Sequence, residues 1–164
     1  LFASKFKGAI KVWLNTRRLR ACALFCCGIA GSLPCVAVPS HFSSTIGSAL
    51  LCQDQIDGYF FTDYMNTYFG QPSKTEGGAY WWKVSSTLFG AQVDSIFISQ
   101  ESISSVFIGA IFSEAPDALR ENIQKATGVA FKSTNNSERW ISPSFSTLLK
   151  YNETMTPSKL FCLK

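Results

Sequence analysis

Residues 79–112 run AYWWKVSSTLFGAQVDSIFISQESISSVFIGAIF. Residues 79–84 concentrate aromatic and β-branched side chains, the types that suit a pleated, half-buried surface. Residues 92–99 alternate, which places Val93, Ser95, Phe97 and Ser99 on one face and Asp94, Ile96 and Ile98 on the other. Residues 105–112 repeat the apolar signal after a turn over residues 100–104. Connections this short leave no room for the crossover helices of a parallel sheet, so these three strands are expected to run antiparallel.

Upstream, the apolar run Ser48-Ala49-Leu50-Leu51-Cys52, bounded by Gly47 and Asp54, reads as a first strand. Asp54 or Asp57 then caps a helix through Phe69, with Phe60, Tyr64 and Tyr68 stacked at i, i+4, i+8 and Phe61 and Met65 beside them; Gly70 stops it. Pro72 and the Gly77-Gly78 pair turn the chain into residue 79. Downstream, Pro116 suits the first turn of a second helix. Ala115, Leu119, Ile123 and Ala126 form its apolar stripe and Gly128 its stop. Residues 129–132, 146–151 and 159–163 read as strands. The expected fold is therefore α+β, a mainly antiparallel sheet with two helices on one face in the order β-α-β-β-β-α-β-β-β.

The 164-residue chain carries a formal net charge of +4, but that sign belongs to its beginning. Lys5, Lys7, Lys11, Arg17, Arg18 and Arg20 precede an apolar run from Ala21, and Cys35-Val36-Ala37 sets small residues where a signal peptidase cuts. Residues 1–37 accordingly read as a cleaved secretory signal peptide, residues 38–47 as a flexible Ser-rich lead-in, and residues 48–164 as a single domain. An uncleaved anchor is the weaker reading: even extended to Val38 the run is 18 residues and is interrupted by Gly28, Gly31 and Pro34. After cleavage nine basic residues face eleven acidic ones, a formal charge of −2. A surface of that sign has no footprint for phosphate backbones, which argues against nucleic acid. Contact with membrane is expected only through the leader. Cys22, Cys26, Cys27 and Cys35 leave with it, and the remaining pair, Cys52 and Cys162, is expected to form a disulfide in a periplasmic or secreted protein.

Little in the sequence points to catalysis. His41 is the lone histidine, in the Ser-rich lead-in, and no second His or third Cys of the mature chain completes a zinc shell, so no metal is expected. Gly77-Gly78 lacks the Lys-Ser/Thr partner and onward helix of a phosphate loop, and no cofactor is expected. Asp54, Asp57, Asp63 and Glu76 cluster around the first helix. Asp57 and Asp63, six apart, do not share a helical face, and the set reads as a cap and a solvated surface.

The densest feature is aromatic: nine rings lie between Tyr59 and Trp82. A small domain cannot bury them all against one sheet face, and adjacent Trp81 and Trp82 must point to opposite sides of a strand. Tyr59, Tyr64, Tyr80, Trp81, Trp82 and Trp140 are therefore the candidate contact residues. The expected function is an exported binding module, of inhibitor or immunity type, that presses an aromatic and acidic surface onto a protein or envelope ligand. A small carboxylate-dependent enzyme acting on envelope polymers is the alternative. A competing, purely structural arrangement has the loop over residues 138–145 cover the second sheet face, with Trp140 as its plug.

Overall fold

Two-residue turns join the first three strands of the sheet in the computed structural model, which describes residues 38–135, 138–153 and 156–164. The expected signal peptide lies outside these residues. β1 (Lys74–Glu76) passes through Gly77-Gly78, at φ 60° and 73°, into β2 (Ala79–Leu88), with Glu76 opposite Ala79. Two successive positive φ angles match the twist of the strands they join, and glycine adopts them without steric cost. β2 returns through Phe89-Gly90, at φ 56° and 77°, into β3 (Ala91–Ser99). A left-handed phenylalanine costs on the order of 1 kcal/mol. Its ring packs so near Gly47 that a Cβ there would stand 3.3 Å from it.

β4 (Phe107–Phe112) completes this meander, and α3 (Pro116–Thr127) carries the chain to a second one. That consists of β5 (Lys132–Ser133), β6 (Arg139–Ile141), β7 (Thr147–Glu153) and β8 (Thr156–Leu163). Every pairing is antiparallel, in the order β1-β2-β3-β4-β8-β7-β6-β5, so the meanders join where β8 lies beside β4. The fold is α+β and dominated by antiparallel sheet.

Several elements depart from the sequence reading. The expected lead-in is helical from Phe42 on, and residues 48–52 are not a strand, because α1 (Phe42–Leu50) runs from one range into the other. Phe42, Ile46, Ala49 and Leu50 are buried at i, i+4, i+7, i+8, a helical stripe spaced out by serines and threonine. Among the described residues the element order thus begins with two helices, and three are present rather than two. β1 and β6 are additional strands, and residues 129–132 contribute only Lys132 to one. In α3 the buried positions are Pro116, Leu119 and Ile123, while Ala115 and Ala126 are exposed.

α2 (Gly58–Phe69) follows its expected limits. Asp57 accepts from the Tyr59 and Phe60 amides at 2.9 and 3.1 Å, and Gly70 takes the C-cap at φ 78°. It buries Phe61, Tyr64 and Met65, so Phe60 and Tyr68 face outward. The main core gathers buried residues of all three helices onto one set of strand side chains, among them Trp82, Ile96, Ile98, Ile108 and Leu160. Val93 belongs there too, against the alternation expected for residues 92–99. Between Val93 and Ser95 β3 advances two residues while β4 advances one, from Phe112 to Ile111. This bulge shifts the phase, so Val93 joins Ile96 and Ile98, and Ser95 and Phe97 take the other side.

Cys52 and Cys162 form a disulfide with Cα atoms 5.4 Å apart. Cys52 lies just past α1 rather than in a strand, so the bridge fixes the end of a helix to β8. The Ser146 hydroxyl, buried, donates to the Leu50 carbonyl at 2.6 Å and holds the same helix end to the sheet.

Candidate functional site

The face of the sheet away from the main core carries its own cluster. Ala79, Phe97 and Ile111 are buried, with Trp81, Phe107, Tyr151 and Phe161 packed partly buried around them; no helix residue belongs to it. Strand register explains the arrangement. Trp81 pairs with Phe97, Phe97 with Gly109, and Gly109 with Phe161, a single row across β2, β3, β4 and β8. Gly109 is the gap in that row: a Cβ there would overlap the Phe97 ring, which lies over the bare backbone. Released from crowding on that side, Phe97 stacks on Trp81 with centroids 4.6 Å apart and planes 29° from parallel, and Phe107 stands 6.2 Å away. The Trp81 indole N–H donates to the Glu76 carbonyl at 3.1 Å, which ties the stack to the β1–β2 turn.

Lysines border these rings. Lys74 sits 4.8 Å from the Trp81 ring centroid and 2.6 Å from the Glu76 carboxylate. Lys83 meets Asp94 at 2.8 Å, and Ser95 donates to the same carboxylate oxygen at 2.7 Å. Burial pushes the Asp94 carboxyl up, but the hydrogen bonds from Lys83 and Ser95 outweigh it and hold the group below the usual aspartate range. Lys159 lies one row along β8, opposite Ile111. Its ammonium is 4.6 Å from the Phe97 centroid and 5.9 Å from those of Tyr151 and Phe161. Burial lowers its pKa.

Shallow hollows follow the rings. One of about 280 Å³ is lined by Trp81, Lys83, Asp94, Ser95, Ile111 and Tyr151 together with Ser73 and Lys74. Another of about 180 Å³ lies between Phe97, Phe107, Lys159, Phe161 and Leu163. Apolar walls with a few fixed polar groups suit recognition of a ligand with an apolar body.

The residues singled out in the sequence do not form one surface. Trp81 is on this face. Trp82 is 1% exposed in the main core, its indole N–H donating to the Gly70 carbonyl at 2.9 Å, and Tyr80 packs beside it with centroids 6.2 Å apart. Tyr64 is buried in the same core, and its hydroxyl has no partner among the described residues. Tyr59 is 73% exposed on α2. Trp140 does not plug the second sheet face: residues 139–141 form a strand, and its ring joins the helix-side core with the Arg120 guanidinium 5.6 Å away.

Phe97, Phe107, Tyr151, Lys159 and Phe161 escaped the sequence reading. Their signal was the row formed by register, which no single strand displays. His41 also lies closer to other groups than its Ser-rich surroundings suggested, with its ring 5.5 Å from Tyr64 and 5.3 Å from Tyr68 at a groove between α1 and α2. Among the described residues no three His, Cys, Asp or Glu side chains gather as metal ligands. Of the carboxylates considered for acid–base work, Asp57 is engaged as a helix cap and Glu76 by Lys74. No protein-family model, curated protein or solved structure gives a match to the chain.

Proposed function

We propose that the protein is an exported binding module, of inhibitor or immunity type, and that it holds a protein partner against the Trp81–Phe97 face of the sheet. The single observation that carries this reading is the aromatic row Trp81, Phe97 and Phe161 with Phe107 beside it, which no helix among the described residues covers. Large rings packed together on one side of a sheet match the aromatic anchors that dominate binding energy at protein interfaces. Export is supported by the Cys52–Cys162 bridge, a linkage favoured in oxidising compartments, and among the described residues no helix is long and apolar enough to cross a membrane. The acidic component expected from the sequence finds no support on this face, since Glu76 and Asp94 are each matched by a lysine.

The test is recovery of a partner from the envelope fraction of the source organism by the wild-type chain and by Trp81→Ala, followed by titration of the purified pair. A partner whose Kd rises at least about tenfold on Trp81→Ala supports the reading, that being the effect of removing a central aromatic anchor. A partner that binds Trp81→Ala as tightly as wild type places the interface elsewhere and refutes it.

A further inference from the structure

Three lysines stand along the aromatic face, and their surroundings differ. Lys74 and Lys83 each have a carboxylate within 2.8 Å. Lys159 has no ion pair among the described residues; its ammonium is surrounded by the faces of Phe97, Tyr151 and Phe161 instead. An amine brought partly out of water among rings keeps its charge most favourably when an anion reaches it, because ring quadrupoles compensate only part of the lost hydration. The burial that lowers its pKa expresses the same unmet solvation. Beside it lies the hollow walled by Phe97, Phe107, Phe161 and Leu163, the last 54% exposed.

We propose that Lys159 is the anion subsite of this face and pairs with a carboxylate side chain on the partner, an Asp or Glu flanked by an apolar residue that enters the Phe97–Phe107–Phe161 hollow. This rests on the binding reading above and adds the chemistry of the partner. Charge complementarity selects the occupant: the ammonium has no ion pair among the described residues, Glu76 and Asp94 on this face are engaged by Lys74 and Lys83, and the hollow on one side of it is walled by apolar side chains. A partner approaching with a cation would meet Lys159, the one of the three lysines with no carboxylate beside it among the described residues. One presenting only apolar groups would bury Lys159 without compensation. Lys159 is thereby a specificity residue, whereas the partly buried Trp81, Phe107 and Phe161 supply contact area over the buried Phe97.

The experiment is selection from a phage-displayed random dodecapeptide library on the full 164-residue chain, oxidised. Peptides are sorted by loss of binding to Trp81→Ala and then titrated against Lys159→Met and Lys159→Arg. Methionine keeps the apolar stem and removes the charge, and arginine keeps the charge. Far-UV circular dichroism and thermal midpoints establish that each variant is folded. The expected result is enrichment of Asp or Glu next to an aromatic or aliphatic residue, a loss of about tenfold or more in affinity with Lys159→Met, and retention with Lys159→Arg. Trp81-dependent peptides with no acidic enrichment, or with unchanged affinity for Lys159→Met, overturn the anion subsite and leave the binding face standing. The absence of any Trp81-dependent peptide removes the binding face and the subsite together.

Discussion

Replacing Trp81 and Trp82 one at a time by alanine separates the two sides of the sheet. Trp82 is 1% exposed, packs in the main core and donates its indole N–H to the Gly70 carbonyl. Its removal leaves a cavity beneath α2 and an unpaired carbonyl at the helix C-cap, a loss of about 3 to 5 kcal/mol. Trp81 loses less, for reasons that can be added contact by contact. Its stacking on Phe97 contributes about 0.5 to 1.5 kcal/mol. Its hydrogen bond to the Glu76 carbonyl contributes about 0.5 to 1 kcal/mol, and the Lys74 ammonium over its ring about 0.5 kcal/mol. Because these terms overlap, Trp81→Ala is expected to cost about 1 to 2 kcal/mol. Urea unfolding followed by circular dichroism, which does not depend on the tryptophans removed, measures both. Tyr80→Ala should lie on the Trp82 side of the comparison, since the two rings touch. Equal losses from Trp81→Ala and Trp82→Ala would refute the assignment of the two indoles to different faces.

Gly109→Ala is expected to destabilise the fold by about 1 to 3 kcal/mol and to weaken partner binding as Trp81→Ala does, because its Cβ displaces the Phe97 ring; Phe97→Leu, which vacates that space, should restore stability but not binding. Tyr64→Phe should leave stability unchanged or raise it by up to about 1 kcal/mol in the same urea assay, since the hydroxyl it removes is buried without a partner; a clear loss would mean that the hydroxyl is satisfied in solution. Burial, aided by the neighbouring Tyr68, pushes the Tyr64 hydroxyl up to about 12. A raised folded pKa makes its contribution complete below pH 10 and progressively lost as pH climbs toward 12, so the alkaline unfolding limb of wild type should flatten in Tyr64→Phe. Reduction of the Cys52–Cys162 bridge, which closes a separation of 110 residues, is expected to lower stability by about 4 to 5 kcal/mol, read from urea midpoints with and without reductant.

The parts of the fold legible in the sequence are those where a local rule acts alone. Asp57 and Gly70 bracket α2, Pro116 and Gly128 bracket α3, and Gly77-Gly78 turns the first hairpin; each depends on dihedral preference or capping within a few residues. The lead-in failed for the opposite reason. Gly47 read as a boundary because a glycine between a serine-rich stretch and an apolar run is usually one. In the fold it is the position where α1 meets the Phe89 ring, a contact between residues 42 apart in sequence that no local signal announces. The phase error at Val93 is of the same kind, because a bulge is a relation between two strands and alternation is a property of one.

The site was less legible than the fold, and the same distinction explains it. Counting rings drew attention to residues 59–82, where aromatic side chains are dense in sequence, yet the density divides among the exposed side of α2, the main core and the far face of the sheet. Only Trp81 of those rings reaches the candidate surface. Its neighbours come one each from β3, β4 and β7, namely Phe97, Phe107 and Tyr151, and two from β8, Lys159 and Phe161. An aromatic row across an antiparallel sheet is set by register, and register here depends on the bulge at Val93–Ser95, which turns Phe97 to the same side as Trp81 while keeping Val93 in the main core. Without that extra residue, continuous pairing with β4 would put Val93 and Phe97 on one face, and either the core would lose Val93 or the stack would lose Phe97. The bulge therefore lets one strand serve the core at one end and the aromatic face at the other, which gives an irregularity costly to ladder hydrogen bonding a physical reason to persist.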